Sequence, residues 1–449
     1  MFKIKFILIP LSFLSFFSIG QETGLTAKQA IFAALKNNYD VIISEKQEEI
    51  AEKNNAWSEA GLFPTVSLQV GQNNFIQDNT NNPFTFTPGV ILSQNLSPSL
   101  VANINLFSGF QVRINKQRLE QLQVQSEGNS MVLIEGLIQD ILKTYFTAVL
   151  QKERSELFKN TMQYSKRRLL YSEIKNKYSS SNSLELLQLK NQYLTDSTNF
   201  LLQEINYKNS LRNLVLLMNN SEDENAELPE LTDNLDLLLN ALNKEDALRE
   251  MSSNNQNLKN QYLALQMQRT VIDLQRSFLY PTLGVSLSAS PSFGRFEQLS
   301  GGGSQGPTSL VTQTLSYSGN INFRYNLYNN WKGKRAVEVA KMQMEIAELN
   351  TEKLKATLNA NLLNLFDFYE VRNRLANVSF ENLDYATKAY ELAQKRFELG
   401  TINSIDLIVF QNSYQSTQIQ HLENLYNRLD TYLEIYKMTG KIRLEYPGN

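Results

Sequence analysis

Two long stretches without proline set the scale of whatever this chain can fold into. From Gln111 to Tyr178, apolar residues stand at Ile134, Ile138, Ile141, Tyr145 and Val149, separated by 4, 3, 4 and 4 positions. Lys334 to Leu399 repeats the helical spacing at Ala386, Tyr390, Ala393 and Phe397. A helix of about 65 residues is ~100 Å long at 1.5 Å per residue. That is several times the diameter of a compact domain, so these stretches belong to an elongated bundle or coiled coil.

Four shorter segments read differently. Val66, Leu68 and Val70 alternate with Ser67, Gln69 and Gly71, and Ala102, Ile104 and Leu106 alternate with Asn103 and Asn105. Leu283, Val285, Leu287 and Ala289 oppose Gly284, Ser286, Ser288 and Ser290, while Ile321, Phe323, Tyr325 and Leu327 oppose Asn322, Arg324 and Asn326. The pattern predicts strands at about 64–74, 98–108, 281–291 and 317–328. The alternation fits a membrane barrel wall, with lipid outside and water inside, and fits a half-buried sheet in a soluble sandwich equally. The connections separate the two. Asn74 to Pro98 and Phe293 to Ser316 are rich in Asn, Gly, Pro, Ser and Thr, including Gly301-Gly-Gly-Ser-Gln-Gly-Pro307, so each strand pair reads as a hairpin with a long polar loop, as on the outer side of an outer-membrane barrel.

The chain also repeats itself. Leu62-Phe-Pro-Thr-Val recurs as Leu279-Tyr-Pro-Thr-Leu, placing Pro64 and Pro281 217 residues apart, and Asn105-Leu-Phe-Ser-Gly109 recurs as Asn326-Leu-Tyr-Asn-Asn330, 221 residues on. Pro64 and Pro281 are junctions where helix gives way to strand, since proline cannot continue a helix and forces its predecessor to be extended. Gly109, like Asn329 with Asn330, marks the return to helix, where positive φ is favoured. The expected organisation is a signal peptide at 1–20, a first repeat at 21–220, an acidic linker at 221–244 broken by Pro229, and a second repeat at 245–449. Lys3 and Lys5 before the apolar run Phe6–Ile19 are the signal, with cleavage expected after Gly20; about 14 apolar residues cannot span a bilayer.

Composition excludes much chemistry. With one histidine and no cysteine, thiol chemistry is absent and no metal cluster or cofactor site stands out. His421 itself reads as an ordinary helix-surface residue. Forty-three basic against 45 acidic residues leave a net charge of −2 and no footprint for nucleic acid. No nucleophile or phosphate loop suggests an enzyme. Without a cysteine no acyl anchor can be attached to one. Four strands of about ten residues cannot close a transmembrane barrel, for which eight is about the minimum, and open edges in lipid leave backbone groups unpaired. Several chains must share one barrel.

The motifs resemble the TolC-like outer-membrane efflux channels: Ala34-Leu-Lys-Asn-Asn-Tyr39, the two Pro-Thr strand starts, the Asn-Leu-Phe-Ser-Gly turn, Arg396-Phe-Glu-Leu-Gly-Thr-Ile-Asn-Ser-Ile-Asp-Leu407, and the final Tyr436-Lys-Met-Thr-Gly440. The resemblance implies an α+β membrane protein: a homotrimer whose chains give four strands each to a twelve-stranded β-barrel, continued by a long periplasmic helical barrel. It implies a passive conduit for small molecules, docked to a periplasmic adaptor and an inner-membrane transporter. Type I protein secretion is the alternative cargo, and a periplasmic coiled-coil adaptor or scaffold is the alternative class. The turns between long helices would form the tip, with Tyr178, Ser180, Phe397 and Gly400 meeting the adaptor and Asp406 and Glu185 lining a constriction. Serine takes the glycine position of the first turn, and Ile402 and Val409 stand where the family often carries an arginine and a second aspartate.

Overall fold

The computed structural model describes residues 24–84, 89–178, 183–219, 228–236, 239, 241–300 and 309–445. The expected signal peptide therefore lies outside the described residues. The first repeat runs β1 (Gly24–Leu25), α1 (Ala27–Asn37), α2 (Tyr39–Asn54), β2 (Thr65–Asp78), β3 (Val90–Ser108), α3 (Gln111–Tyr178) and α4 (Ser183–Met218). After β4 (Glu230–Leu231), the second runs α5 (Lys244–Asn254), α6 (Gln256–Ser277), β5 (Thr282–Ser300), β6 (Ser309–Arg324), α7 (Lys332–Glu398), α8 (Ser404–Met438) and α9 (Ile442–Glu445). The two long helices fall within two residues of their sequence bounds.

The repeat is reproduced in its corners. Asn38 caps α2 and Asn255 caps α6, each through its side-chain oxygen, and their side-chain amides donate to the carbonyls of Leu217 and Met438 at 2.9 and 3.0 Å. These bonds tie the end of each long hairpin to the helix pair that opens its repeat. The main core lies there: Ile138, Ile141, Leu142 and Tyr145 of α3 are fully buried among α1, α4 and α8. Each such side chain stabilises the fold by about 1.5–3 kcal/mol through area removed from water. The linker is tied in as well. β4 pairs in parallel with β1, and the Tyr145 hydroxyl donates to the Leu25 carbonyl at 2.7 Å. Burial pushes this phenol up to about 12, so it remains a donor at physiological pH.

The four long strands form one antiparallel sheet in the order β2-β3-β5-β6. Register aligns the apolar residues of all four on one face: Leu68, Leu100, Ala289 and Tyr317 form one rung, and Val66, Ala102, Leu287 and Gly319 the next. Asn103, Ser286 and Asn320 share the opposite face. On the outer strand β6, Ile321 and Phe323 are 75% and 69% exposed in the single chain. Replacing Ile104 or Phe323 by arginine is therefore expected to impair membrane assembly, at ~2–4 kcal/mol per midplane cation, with Asn103→Arg milder. Outer-membrane yield of heat-modifiable oligomer checks this; equal tolerance at all three positions would mean the faces are reversed.

The strands are longer and their connections shorter than the sequence pattern indicated. β3 continues through Pro98 and β5 through Pro291, where alternation-based reading stops. Leu96 pairs with Phe293 and Leu100 with Ala289, so the same register sets Pro98 opposite Pro291, at the centre of three rungs that the ladder skips. Two residues without N–H groups facing each other explain how proline is tolerated in central strands. At the other end β6 stops at Arg324, leaving Tyr325 and Leu327 beyond the strand. Pro281 directly precedes β5, four residues after α6 ends. Pro64 directly precedes β2 but stands ten residues beyond the end of α2. There the helix stops at Asn55, whose side chain accepts from Lys116 and donates to Gln123, both at 2.6 Å.

Both strand-to-helix turns use two successive left-handed residues. Gly109 and Phe110 have φ of 63° and 69°, and Asn330 and Trp331 have 53° and 59°. The glycine and the asparagine were readable from sequence; the aromatic residues were not, since bulky side chains seldom adopt this region.

Candidate functional site

At the far end of the helices, the α7–α8 turn is built from local hydrogen bonds. Gly400, at φ +70°, donates to the Phe397 carbonyl at 2.9 Å, and the Thr401 amide donates to the Arg396 carbonyl at 2.9 Å, which closes α7 in a Schellman arrangement. Asn403 then caps α8 by accepting from the Asp406 amide at 2.9 Å. Asp406 is exposed in the first turn of α8, where a carboxylate is favoured by the helix dipole. Glu185 is half-buried at the equivalent position of α4. Among the described residues no bond joins the two.

Beneath the turn, Tyr390, Ala393 and Leu407 are buried together, with Phe397, Ile402 and Tyr414 packed against them. Tyr390 and Tyr414 stack with ring centroids 5.4 Å apart. Ile402 thus fills with apolar contact the place where the family often carries a charge. Tyr178 is the last residue of α3. Ser180, in the α3–α4 turn, lies outside the described residues.

A polar cluster one step further along the helices was not legible in the sequence. Asp196 of α4 and Ser165 of α3, 3% and 1% exposed, are hydrogen-bonded to each other, and Gln192 donates to Asp196 at 2.8 Å. Arg168 of α3 donates to Ser165 at 3.2 Å and to Gln411 of α8, bridging the two hairpins. Burial lowers the guanidinium pKa from its usual value, opposed by the charges of Tyr390 and Asp196. Beside it, Tyr164, Tyr171, Tyr390 and Phe397 line a cleft of about 550 Å³ between α3 and α7.

His421 is a correction. It is half-buried rather than a plain surface residue: its Nδ1 lies 3.0 Å from the Ser379 hydroxyl and its ring 5.9 Å from that of Phe380, joining α8 to α7. Burial lowers its pKa. Among the described residues no cluster of His, Cys, Asp and Glu could hold a metal ion, and no helix is long and apolar enough to cross a membrane.

Comparison with known proteins places this architecture. Residues 247–441 match the family model for outer membrane efflux proteins. No curated protein sequence matches the chain. Among solved structures, the Campylobacter jejuni CmeC outer membrane channel is 16% identical with a TM-score of 0.72, covering 92% of this chain and 85% of that one. The open state of the Neisseria gonorrhoeae MtrE outer membrane channel is 16% identical with a TM-score of 0.70, over 94% and 90%. A membrane protein from Pseudomonas aeruginosa is 15% identical with a TM-score of 0.73, over 92% of both chains. At such identities the likeness is one of fold, and it extends over both repeats, whereas the family model covers the second. By family model over its second repeat and by fold over more than nine-tenths of its length, the chain resembles the outer membrane efflux proteins.

Proposed function

We propose that the protein is the outer-membrane conduit of a tripartite small-molecule efflux system, working as a homotrimer with a periplasmic adaptor and an inner-membrane transporter. The observation that carries this reading is a four-stranded sheet with one apolar face and two open edges, β2 and β6, continuous with two helical hairpins ~100 Å long. Edges left open in lipid cost several kcal/mol per unpaired group, and joining β6 of one chain to β2 of the next removes them. Three chains give twelve strands, enough to enclose water. The conduit performs no chemistry on its cargo; energy comes from the transporter. In detergent the protein is expected to run as a trimer by native mass spectrometry and to conduct ions in planar bilayers. A monomer with intact β-structure would defeat the reading.

The tip is assigned on the same basis. The α7–α8 turn with Phe397 and Gly400, and the α3–α4 turn with Tyr178 and Ser180, form the adaptor-facing rim. Three copies of Asp406, with Glu185 beside them, narrow the tunnel there. Gly109, Pro64 and Pro281 hold the junction between barrel and tunnel. Like charges ~8 Å apart repel by ~2 kcal/mol at an effective dielectric near 20, so a ring of carboxylates attracts cations. Asp406→Asn is expected to reduce cation selectivity and weaken block by divalent cations in single-channel recordings, with the trimer intact. Unchanged selectivity and block would leave Asp406 a helix-capping residue.

A further inference from the structure

We propose that the turn from β6 into α7 is an anionic-phospholipid site on the inner leaflet of the outer membrane, with Tyr328 and Trp331 in the headgroup layer and Lys332, Lys334 and Arg335 engaging lipid phosphate. The inference rests on the reading of the sheet as barrel wall. The surface is continuous with that wall: the apolar face of β6 ends in Ile321 and Phe323, and the exposed aromatic residues follow directly.

The side chains of the turn, from Tyr325 to Lys332, are all exposed. Asn330 and Trp331 are both left-handed, a conformation that disfavours a bulky side chain, and Trp331 is nevertheless 55% exposed. Its neighbours are the Tyr328 ring, edge-on at 6.4 Å, and the Lys334 ammonium, 4.1 Å above its ring. The equivalent turn of the first repeat differs in its ring contacts, although Phe110 is itself 57% exposed. Phe110 packs edge-on against Phe107 and Tyr280 at 5.2 and 5.8 Å, and nearby Lys116 is paired with Glu120 and Asn55. In the second repeat Lys332, Lys334 and Arg335 are exposed within four residues, against the single exposed Arg113 at the corresponding positions of α3, and neither first turn carries an acidic residue. They make no ion pair among the described residues; Arg335 donates only to the Asn330 carbonyl at 3.0 Å. Exposed aromatic residues, one of them strained, and clustered cations at the edge of a lipid-facing sheet match a headgroup layer in both polarity and charge. Each cation at an anionic lipid surface adds roughly a fivefold gain in partitioning.

The sequence offers a direct probe, because its two tryptophans are Trp57 and Trp331. In the full-length Trp57→Phe trimer, reconstituted in nanodiscs, Trp331 emission is expected to be quenched by lipids brominated near the carbonyl end of the acyl chain and protected from aqueous iodide. Nanodiscs of mixed phosphatidylcholine and phosphatidylglycerol should yield trimers enriched in phosphatidylglycerol by mass spectrometry. The combined Lys332→Gln, Lys334→Gln and Arg335→Gln variant should lose that enrichment. Iodide quenching without lipid quenching, or enrichment unchanged in the variant, overturns the proposal. If the triple variant does not assemble, phosphatidylglycerol titration into Trp57→Phe nanodiscs must shift Trp331 emission, and inorganic phosphate must not; any other result also overturns it. A control with Ile321→Trp in a background of Trp57→Phe and Trp331→Phe should be quenched by deep bromines. Failure of that control would instead remove the barrel reading itself.

Discussion

Gly109→Ala is expected to all but abolish outer-membrane trimer. A Cβ at this position would stand 2.2 Å from the Ser277 carbonyl oxygen and 2.9 Å from the Cβ of Tyr280. Neither neighbour is the end of a flexible side chain, so relief requires the end of α6 to move away from the β3–α3 turn. Left-handed backbone adds its own penalty, and together the two amount to about 2–5 kcal/mol per chain. That is a large part of a domain's stability of about 5–15 kcal/mol, and in the proposed trimer three chains bear it at once. Gly61→Ala separates the contributions. Gly61 is also left-handed, at φ +89°, but nothing lies within 4 Å of its added Cβ. It should lose only ~1–2 kcal/mol and still assemble. Immunoblots of outer-membrane fractions with and without heating compare the two; equal yields would show that the close approach of α6 to Gly109 carries no weight.

The second large effect is expected at the buried polar cluster. Asp196→Ala removes the acceptor of both Ser165 and Gln192 and leaves Arg168 in the interior without a nearby carboxylate. Breaking a buried charged group's compensation in this way costs ~3–5 kcal/mol. Two nitrogens of Arg168 already have no protein partner among the described residues, so little is available to compensate. The loss is local. Amide hydrogen exchange should accelerate in the α3 and α4 segments around 165 and 196 and in α8 around Gln411, while the sheet and the core around Ile138 keep their protection. On the proposed conduit reading, cells carrying the variant should also become more permeable to large solutes. Asp196→Asn, which keeps one acceptor and loses the charge, should fall between. Uniform exchange over the whole molecule would instead indicate a global fold defect.

How far the architecture could be read beforehand follows from the physics of each element. Long helices announce themselves through many repetitions of the same spacing, which is why α3 and α7 were bounded almost to the residue. Strands give fewer repetitions, and here the signal is cut by prolines. Pro98 and Pro291 looked like strand ends because a proline in an internal strand usually breaks a ladder; only the partner strand shows that each faces the other. The tip turn was legible where conformation is set by a single residue, as at Gly400. The Arg168 cluster was not, because its members come from α3, α4 and α8 and bonded partners are separated by up to 243 positions. His421 was misread for the same reason: its environment is supplied by Ser379 and Phe380 on another helix.

The spacing of the two repeats carries a record of what has been free to change since they diverged. Asn38 and Asn255, like Pro64 and Pro281, are 217 positions apart, whereas Gly109 and Asn330, Leu217 and Met438, and Asn219 and Gly440 are all 221 apart. The whole difference of four residues arose within the β-hairpin, between Pro64 and Gly109 on one side and Pro281 and Asn330 on the other. From each hairpin's return turn to the cap that closes its second long helix, the two copies have kept the same length to the residue. One inserted residue in a long helix would rotate every side chain beyond it by about 100° and misalign the stripe facing its neighbours. A residue inserted in a surface loop alters nothing that is packed. Drift in length has therefore been confined to the hairpins, and that is where an epitope or an affinity tag can be inserted without disturbing the tunnel.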